Sequence, residues 1–146
     1  MRKVLFFAFA LVASALAFTS CKGNKIDSPI VGTWKYATDP APDSGWWVEY
    51  TFTFGGDGMF SLLDVAHPGT EDVYDGFIYT GPYEINGDII TLHKNKMGEY
   101  SSGQTKYYED YEPYDERMKF SLTGNKLTLT REYGTEYAWQ EVYTKQ

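Results

Sequence analysis

From Ile30 to the C-terminus, apolar and polar positions alternate with a period of two, the spacing of strands that bury one face. In the first segment Ile30, Gly32, Trp34 and Tyr36 share one side, and Val31, Thr33 and Lys35 share the other. A loop rich in Pro, Asp and Gly follows. The next segment alternates most cleanly: Val48, Tyr50, Phe52 and Phe54 lie opposite Glu49, Thr51 and Thr53. Trp46 has the parity of Val48 and is predicted to pack inside, whereas Trp47 is predicted at a rim. Gly55-Gly56-Asp57-Gly58 reads as a turn, because glycine reaches positive φ without steric cost. Met59 to Val65 is the returning strand.

Two later hairpins test the faces independently. With Asn86-Gly87 as a two-residue turn, Tyr83 is set opposite Ile90 and Gly81 opposite Leu92. With Gly124-Asn125 as the turn, Leu122 faces Leu127 and Phe120 faces Leu129, and Met118 joins the same side. A one-residue slip would turn all these apolar side chains into water. Glu71 to Thr80 reads as a strand, Gln104 to Arg117 as a strand broken near Pro113, and Glu136 to Lys145 as the closing strand. No amphipathic helix is visible after Ser28. The sum is an all-β chain of about eight to ten short antiparallel strands, a sandwich or an up-and-down barrel.

Upstream the pattern changes. Val4 to Ala17 is apolar and uncharged, preceded by Arg2 and Lys3 and followed by Thr19, Ser20 and Cys21, the single cysteine. That order is the plan of a secretory signal peptide, and the apolar run is shorter than the roughly 20 residues of a spanning helix. Phe18-Thr19-Ser20-Cys21 resembles the lipobox of bacterial lipoproteins. The resemblance implies that Cys21 becomes the first mature residue and carries a diacylglyceryl group and an N-linked acyl chain of the palmitate kind. Several chains, at about 0.8 kcal/mol per buried methylene, anchor firmly where one does not. The membrane is then a partner through those chains. Lys22 stands where an aspartate resembles an inner-membrane retention signal, and residues 22–29 lack a dense acidic run. The expected location is therefore the outer membrane of a Gram-negative cell envelope, with the periplasmic face favoured over the surface. The organisation is 1–20 signal peptide, 21–29 lipidated tether and 30–146 β-domain.

Charge narrows the partners. Removal of Met1 to Ser20, which carries two basic residues and no acid, takes the net charge from −7 to −9. So acidic a surface repels phosphates, and no nucleic acid is expected to bind. With Cys21 acylated, no thiol remains for a disulfide, a nucleophile or a metal.

Val31-Gly32-Thr33-Trp34-Lys35-Tyr36, followed by the three hairpins, is similar to bacterial lipocalin-like lipoproteins over nearly all of Ile30 to Lys145. The resemblance implies an antiparallel up-and-down β-barrel that binds a small apolar or amphipathic ligand. Tyr36, Tyr50, Phe52, Tyr83 and Phe120 are then the candidate lining residues. Gly32 and Trp34 are assigned structural roles, the tryptophan packing across one end of the barrel.

No catalytic residues are assigned. No G-x-S-x-G, H-E-x-x-H or P-loop string occurs, and no enzyme activity or cofactor is expected. His67 and His93 fall in different elements, His93 on the outward face, and no metal site assembles from them. Tyr107, Tyr108, Tyr111 and Tyr114 crowd together with acids. They read either as strand residues with one wet face or as an amphipathic contact patch for a protein or glycan. This leaves an alternative to the ligand carrier: a ligand-free barrel acting as an interaction module in an envelope complex.

Overall fold

The computed structural model describes residues 26–67 and 75–146. Among them there is no helix, and the strands are β1 (Gly32–Ala37), β2 (Trp47–Phe54), β3 (Met59–His67), β4 (Asp75–Asn86), β5 (Ile89–Lys94), β6 (Lys96–Ser101), β7 (Gln104–Tyr107), β8 (Tyr114–Thr123), β9 (Lys126–Arg131) and β10 (Trp139–Lys145). Every pairing is antiparallel. β1 to β5 pair in sequence, β5 then pairs with β8, and β8, β9 and β10 lead back to β1. Eight strands thus close into a barrel, and β6 and β7 are a hairpin added outside it. The break expected near Pro113 is the segment between β7 and β8.

Closure removes the sheet edges that would otherwise expose backbone donors and acceptors. The seam is held by Trp34↔Lys145 and Lys35↔Thr144. β5 and β6 run on as one strand along β4 with a bulge between them. Tyr83 is opposite Leu92, but Thr80, three residues back, is opposite Lys96, four residues on. The extra residue bends the strand and lets the β6–β7 hairpin leave the barrel. Gly81 makes the bend possible, since a Cβ there would lie 1.8 Å from the His93 carbonyl oxygen.

The expected faces hold, with one change of register. The first late hairpin turns at Gly87-Asp88, so Ile85 pairs with Ile90 and Tyr83 with Leu92. The Asn86-Gly87 turn of the sequence reading is displaced by one residue and its pairings by two, which leaves every side chain on its expected face. Gly87 has φ +63° and Asp88 is not in the left-handed region. Positive φ at the first central position alone is the type II′ pattern, for which Gly leads. The second hairpin has the expected partners, Leu122↔Leu127 and Phe120↔Leu129.

The inward faces divide the barrel into two ends. At the closed end Ile30, Trp34, Phe52, Phe54, Phe60, Leu62, Tyr83, Ile90, Leu92, Met118, Leu127, Leu129 and Tyr143 form one buried cluster. Side chains fill this end, as is usual for small barrels. Trp34 is buried, and its indole N–H donates to the Ile30 carbonyl at 2.7 Å. Lys145 crosses it: its Cε would lie 3.0 Å from a Cβ at Gly32, and its ammonium sits 5.2 Å from the Trp34 ring centre. Ile26, within the stretch read as tether, also packs against this core, and its N–H donates to the Gly56 carbonyl at 2.8 Å. Trp46, expected inside, is 53% exposed, because it precedes the strand whose parity it was assigned.

A charged cup at the open end of the barrel

Where the buried apolar side chains end, one inward step on or, past Gly81 in β4, two, each barrel strand turns a polar or tyrosine side chain inward. The eight are Tyr36, Tyr50, Asp64, Tyr79, Lys94, Glu116, Arg131 and Glu141, one from each strand in barrel order. Alternation dictates this: Lys94 continues Ile90 and Leu92, Arg131 continues Leu127 and Leu129, and Asp64 continues Phe60 and Leu62.

Four of the five charged side chains, Lys94, Glu116, Arg131 and Glu141, form a connected network. The Lys94 ammonium, 5% exposed as a residue, lies 2.7 Å from a Glu116 carboxylate oxygen. The other oxygen of Glu116 pairs with the Arg131 guanidinium. Arg131 Nε donates to Glu141 at 2.9 Å, and the Tyr143 hydroxyl donates to the same Glu141 oxygen at 2.9 Å. Lys94 also donates to the Tyr114 hydroxyl at 3.1 Å, with its ammonium 4.5 Å from the Tyr79 ring centre and 5.1 Å from that of Tyr114. Buried charges persist only when paired in this way.

The protonation states follow from these partners. Burial alone would raise the Glu116 carboxyl, but Arg131 and then Lys94 outweigh it and hold it below its ordinary value. Burial disfavours the Arg131 cation, yet Glu116 and Glu141 more than compensate, so it stays firmly protonated. Asp64 behaves differently. Its burial dominates and raises its pKa, against the Phe77 N–H that donates to it at 2.6 Å and against the more distant Lys94 charge. Tyr50 is likewise raised, by burial and then by the negative charges of Glu141 and Asp64.

Two cavities open above this floor. One, of about 550 Å³, is lined by Tyr79, Lys94, Tyr114, Glu116, Arg131 and Trp139 among others. The second, of about 610 Å³, lies towards β6 and is lined by Val48, Tyr50, Asp64, Ala66, Phe77 and Tyr100, with Asp75 and Glu99. Tyr50 and Asp64 line both.

Of the five residues expected to line a ligand site, the structure brings Tyr50 to the cavities. Phe52 and Tyr83 are core residues, the Tyr83 hydroxyl donating to the Gly55 carbonyl at 2.9 Å. Tyr36 and Phe120 are half-buried and pack against the same core, Tyr36 between Tyr50 and Tyr143. The tyrosine patch also divides. Tyr107 and Tyr108 are exposed on the outer hairpin and just after it, and the Tyr108 hydroxyl donates to Glu99 at 2.6 Å. Tyr114 belongs to the cup, and the half-buried Tyr111 lies against it, its ring centre 6.4 Å away. Burial, and then Tyr114, push the Tyr111 phenol up to about 12. His93 lies on the outer face, 2.7 Å from Asp115. His67 stacks on Trp47 with ring centres 3.6 Å apart. Cys21 lies outside the described residues. Lys94, Glu116, Arg131, Glu141 and Asp64 escaped the sequence reading, although their inward parity at one end of five strands was there to be seen.

Fold and site together define an antiparallel β-barrel with one end packed by its own side chains and the other open as a charged, tyrosine-walled cup. Comparison with known protein families and with characterised proteins finds no match. The functional reading therefore rests on the geometry and on the sequence pattern.

Proposed function

We propose that the protein is a lipid-anchored lipoprotein of a Gram-negative cell envelope whose lipocalin-like barrel binds a small amphipathic molecule at its open end. The observation that carries the binding half is the cup, with adjoining cavities of about 550 and 610 Å³ above a dry core. Those volumes fall within the roughly 300–1,000 Å³ of small-molecule sites, and a few convergent polar groups among aromatic walls are their usual composition. The packed closed end restricts the ligand to the mouth, which favours a compact molecule with a polar group over a long acyl chain. The reading asks no chemistry of the protein.

The anchoring half rests on the order of basic residues, apolar run, small residues and Cys21. Acylation there would hold the barrel at the outer membrane, by preference on its periplasmic face.

Native mass spectrometry of the mature protein, purified from its own envelope, tests the binding half. A stoichiometric small-molecule adduct is expected. Protein that is ligand-free in every preparation would favour the alternative, a barrel acting as an interaction module for a protein or glycan. That reading draws on the exposed Tyr107, Tyr137 and Trp139.

A further inference from the structure

The two cavities differ in charge. The smaller one contains the paired Lys94 and Arg131. The larger one has Asp64, Asp75 and Glu99 in its wall and, among the described residues, no lysine or arginine. Its remaining walls are mostly apolar or aromatic, Val48, Ala66, Tyr50, Phe77 and Tyr100, with Gly76 between and Ser101 as the uncharged polar member. Lys94, whose charge acts on Asp64, is already committed to Glu116 and enclosed by the Tyr79 and Tyr114 rings.

Resting on the ligand-binding reading above, we infer that the larger cavity takes an organic cation, a primary or quaternary ammonium carried on a compact aromatic or alkyl body. Three physical arguments converge on that class. An anion would meet three carboxylates, and Lys106, opposite Glu99 across the β6–β7 pair, does not line the cavity. A neutral apolar ligand would strip water from Asp64 without replacing its hydrogen bonds, and burying an ionised carboxylate unpaired is costly. A cation supplies the missing partner, and aromatic rings such as Tyr50, Phe77 and Tyr100 attract cations through their faces. The size of the cavity and the spread of its acids separate this ligand from a metal ion. Among the described residues no three His, Cys, Asp or Glu side chains converge as metal ligands, so the acids ring a space suited to a molecule.

Asp64 is the pivot. It accepts the Phe77 N–H on one oxygen and lines the cavity, half-buried, without a basic side chain paired to it among the described ion pairs. Burial raises its pKa, as expected of a carboxylate whose charge its protein surroundings under-compensate.

The test is calorimetric titration of the processed full chain in non-ionic detergent, with the heat of detergent alone subtracted. The probes are 3-phenylpropylammonium, 3-phenylpropanol and 3-phenylpropanoate, one body with three charges. The ammonium is expected to bind at least about tenfold more tightly than the alcohol, and the carboxylate more weakly than either. Asp64→Asn keeps an acceptor for the Phe77 N–H, and it should remove most of the ammonium's advantage over the alcohol. If that variant does not fold, the rim pair Asp75→Asn with Glu99→Gln should reduce the same advantage. Alcohol binding as tight as ammonium would overturn the cation inference and leave the ligand-binding reading standing. An ammonium preference that survives both sets of substitutions would overturn the assignment to this cavity. Binding of none of the three probes would overturn the inference and count against the ligand-binding reading as well.

Discussion

Lys94 places its ammonium 2.7 Å from the Glu116 carboxylate inside the barrel, at the level where the apolar core ends. Glu116 serves Lys94 and Arg131 together, and Arg131 in turn holds Glu141. Glu116 is thus the hub of the cup. Its removal leaves Lys94 without its carboxylate in a poorly solvated space and Arg131 with Glu141 alone, whereas removal of Lys94 leaves Glu116 still paired with Arg131.

The two variants should therefore differ. Breaking a buried ion pair from one side typically costs about 3–5 kcal/mol. Glu116 keeps some solvent access, so Glu116→Gln is expected near the lower end of that range. Lys94→Met should cost less, since the methionine stem can pack between Tyr79 and Tyr114. Urea denaturation of both variants checks the order; a Lys94→Met loss larger than that of Glu116→Gln would show that the network is organised around the lysine.

Trp34 is expected to be a structural plug. It is 1% exposed, bonded to Ile30 and covered by Lys145. Truncating a buried tryptophan to alanine costs about 3–5 kcal/mol, a large part of the roughly 5–15 kcal/mol that holds a domain together. Trp34→Ala should be marginal and protease-sensitive, and Trp34→Phe should fold with a modest loss. Trp34 lines neither cavity, so binding should fall only with the folded fraction. A Trp34→Ala protein that melts with wild type, or that folds fully but loses binding, would contradict this role.

Glycines at the bulge and at the turn should respond differently. A Cβ at Gly81 would lie 1.8 Å from a backbone oxygen, whereas nothing lies within 4 Å of one at Gly87, where the only penalty is φ +63°. Left-handed backbone costs a non-glycine residue roughly 1–2 kcal/mol. Gly81→Ala must instead displace the strand that leads into Lys94, and it should lower Tm clearly more than Gly87→Ala. His93→Ala, on the outer face, should cost no more than about 1 kcal/mol, the usual net worth of a hydrogen bond. Thermal melts of the three variants rank them, and a harmless Gly81→Ala would argue against the bulge.

The closed end was legible in the sequence, and the cup was not. Trp34, Phe52, Leu92, Met118 and Leu129 sit where strict alternation puts them, because a single slip would expose whole rows of apolar side chains. Alternation is traced through apolar residues, and it stops being followed where they end. Lys94, Glu116 and Arg131 each extend such a row by one inward step, and only closure of the barrel shows that these steps meet. Turns were less legible for a related reason. Asn86-Gly87 and Gly87-Asp88 preserve the same faces, and the choice between them is made together with the bulge beyond Leu92, which no local pattern specifies. Trp46 failed because parity has no meaning outside a strand.

Anchoring is tested apart from the barrel. Cys21→Ser should abolish acylation and block processing by the lipoprotein peptidase. Metabolic labelling with a fatty-acid analogue should mark the wild-type chain and leave the variant unmarked, and the variant should run larger by the length of its retained signal peptide. Label on the variant would contradict lipidation at Cys21.

Asp64 makes an opposite demand on stability from Glu116, and pH separates them. The folded-state pKa of Glu116 is lowered. Its contribution is present above its unfolded pKa, near 4.3, and is lost as pH falls through the lower folded value. The folded-state pKa of Asp64 is raised, chiefly by burial. The folded protein therefore binds that proton more tightly than the unfolded chain does. Ionised Asp64 costs stability above its folded pKa, and the cost disappears as pH falls through that value towards the unfolded one, near 3.9. Asp64→Asn removes the charge while keeping an acceptor for the Phe77 N–H. It should raise Tm at pH 7, and its advantage over wild type should shrink as pH falls through the raised folded-state value and disappear at and below the unfolded one. Such a cost is what a site kept for a cationic partner would carry. Paired melts of Asp64→Asn and wild type at pH 4, 5, 6 and 7 decide the matter: a lower Tm for the variant at pH 7 would mean that ionised Asp64 is stabilising, through the Phe77 hydrogen bond and Lys94, and that its burial is already compensated.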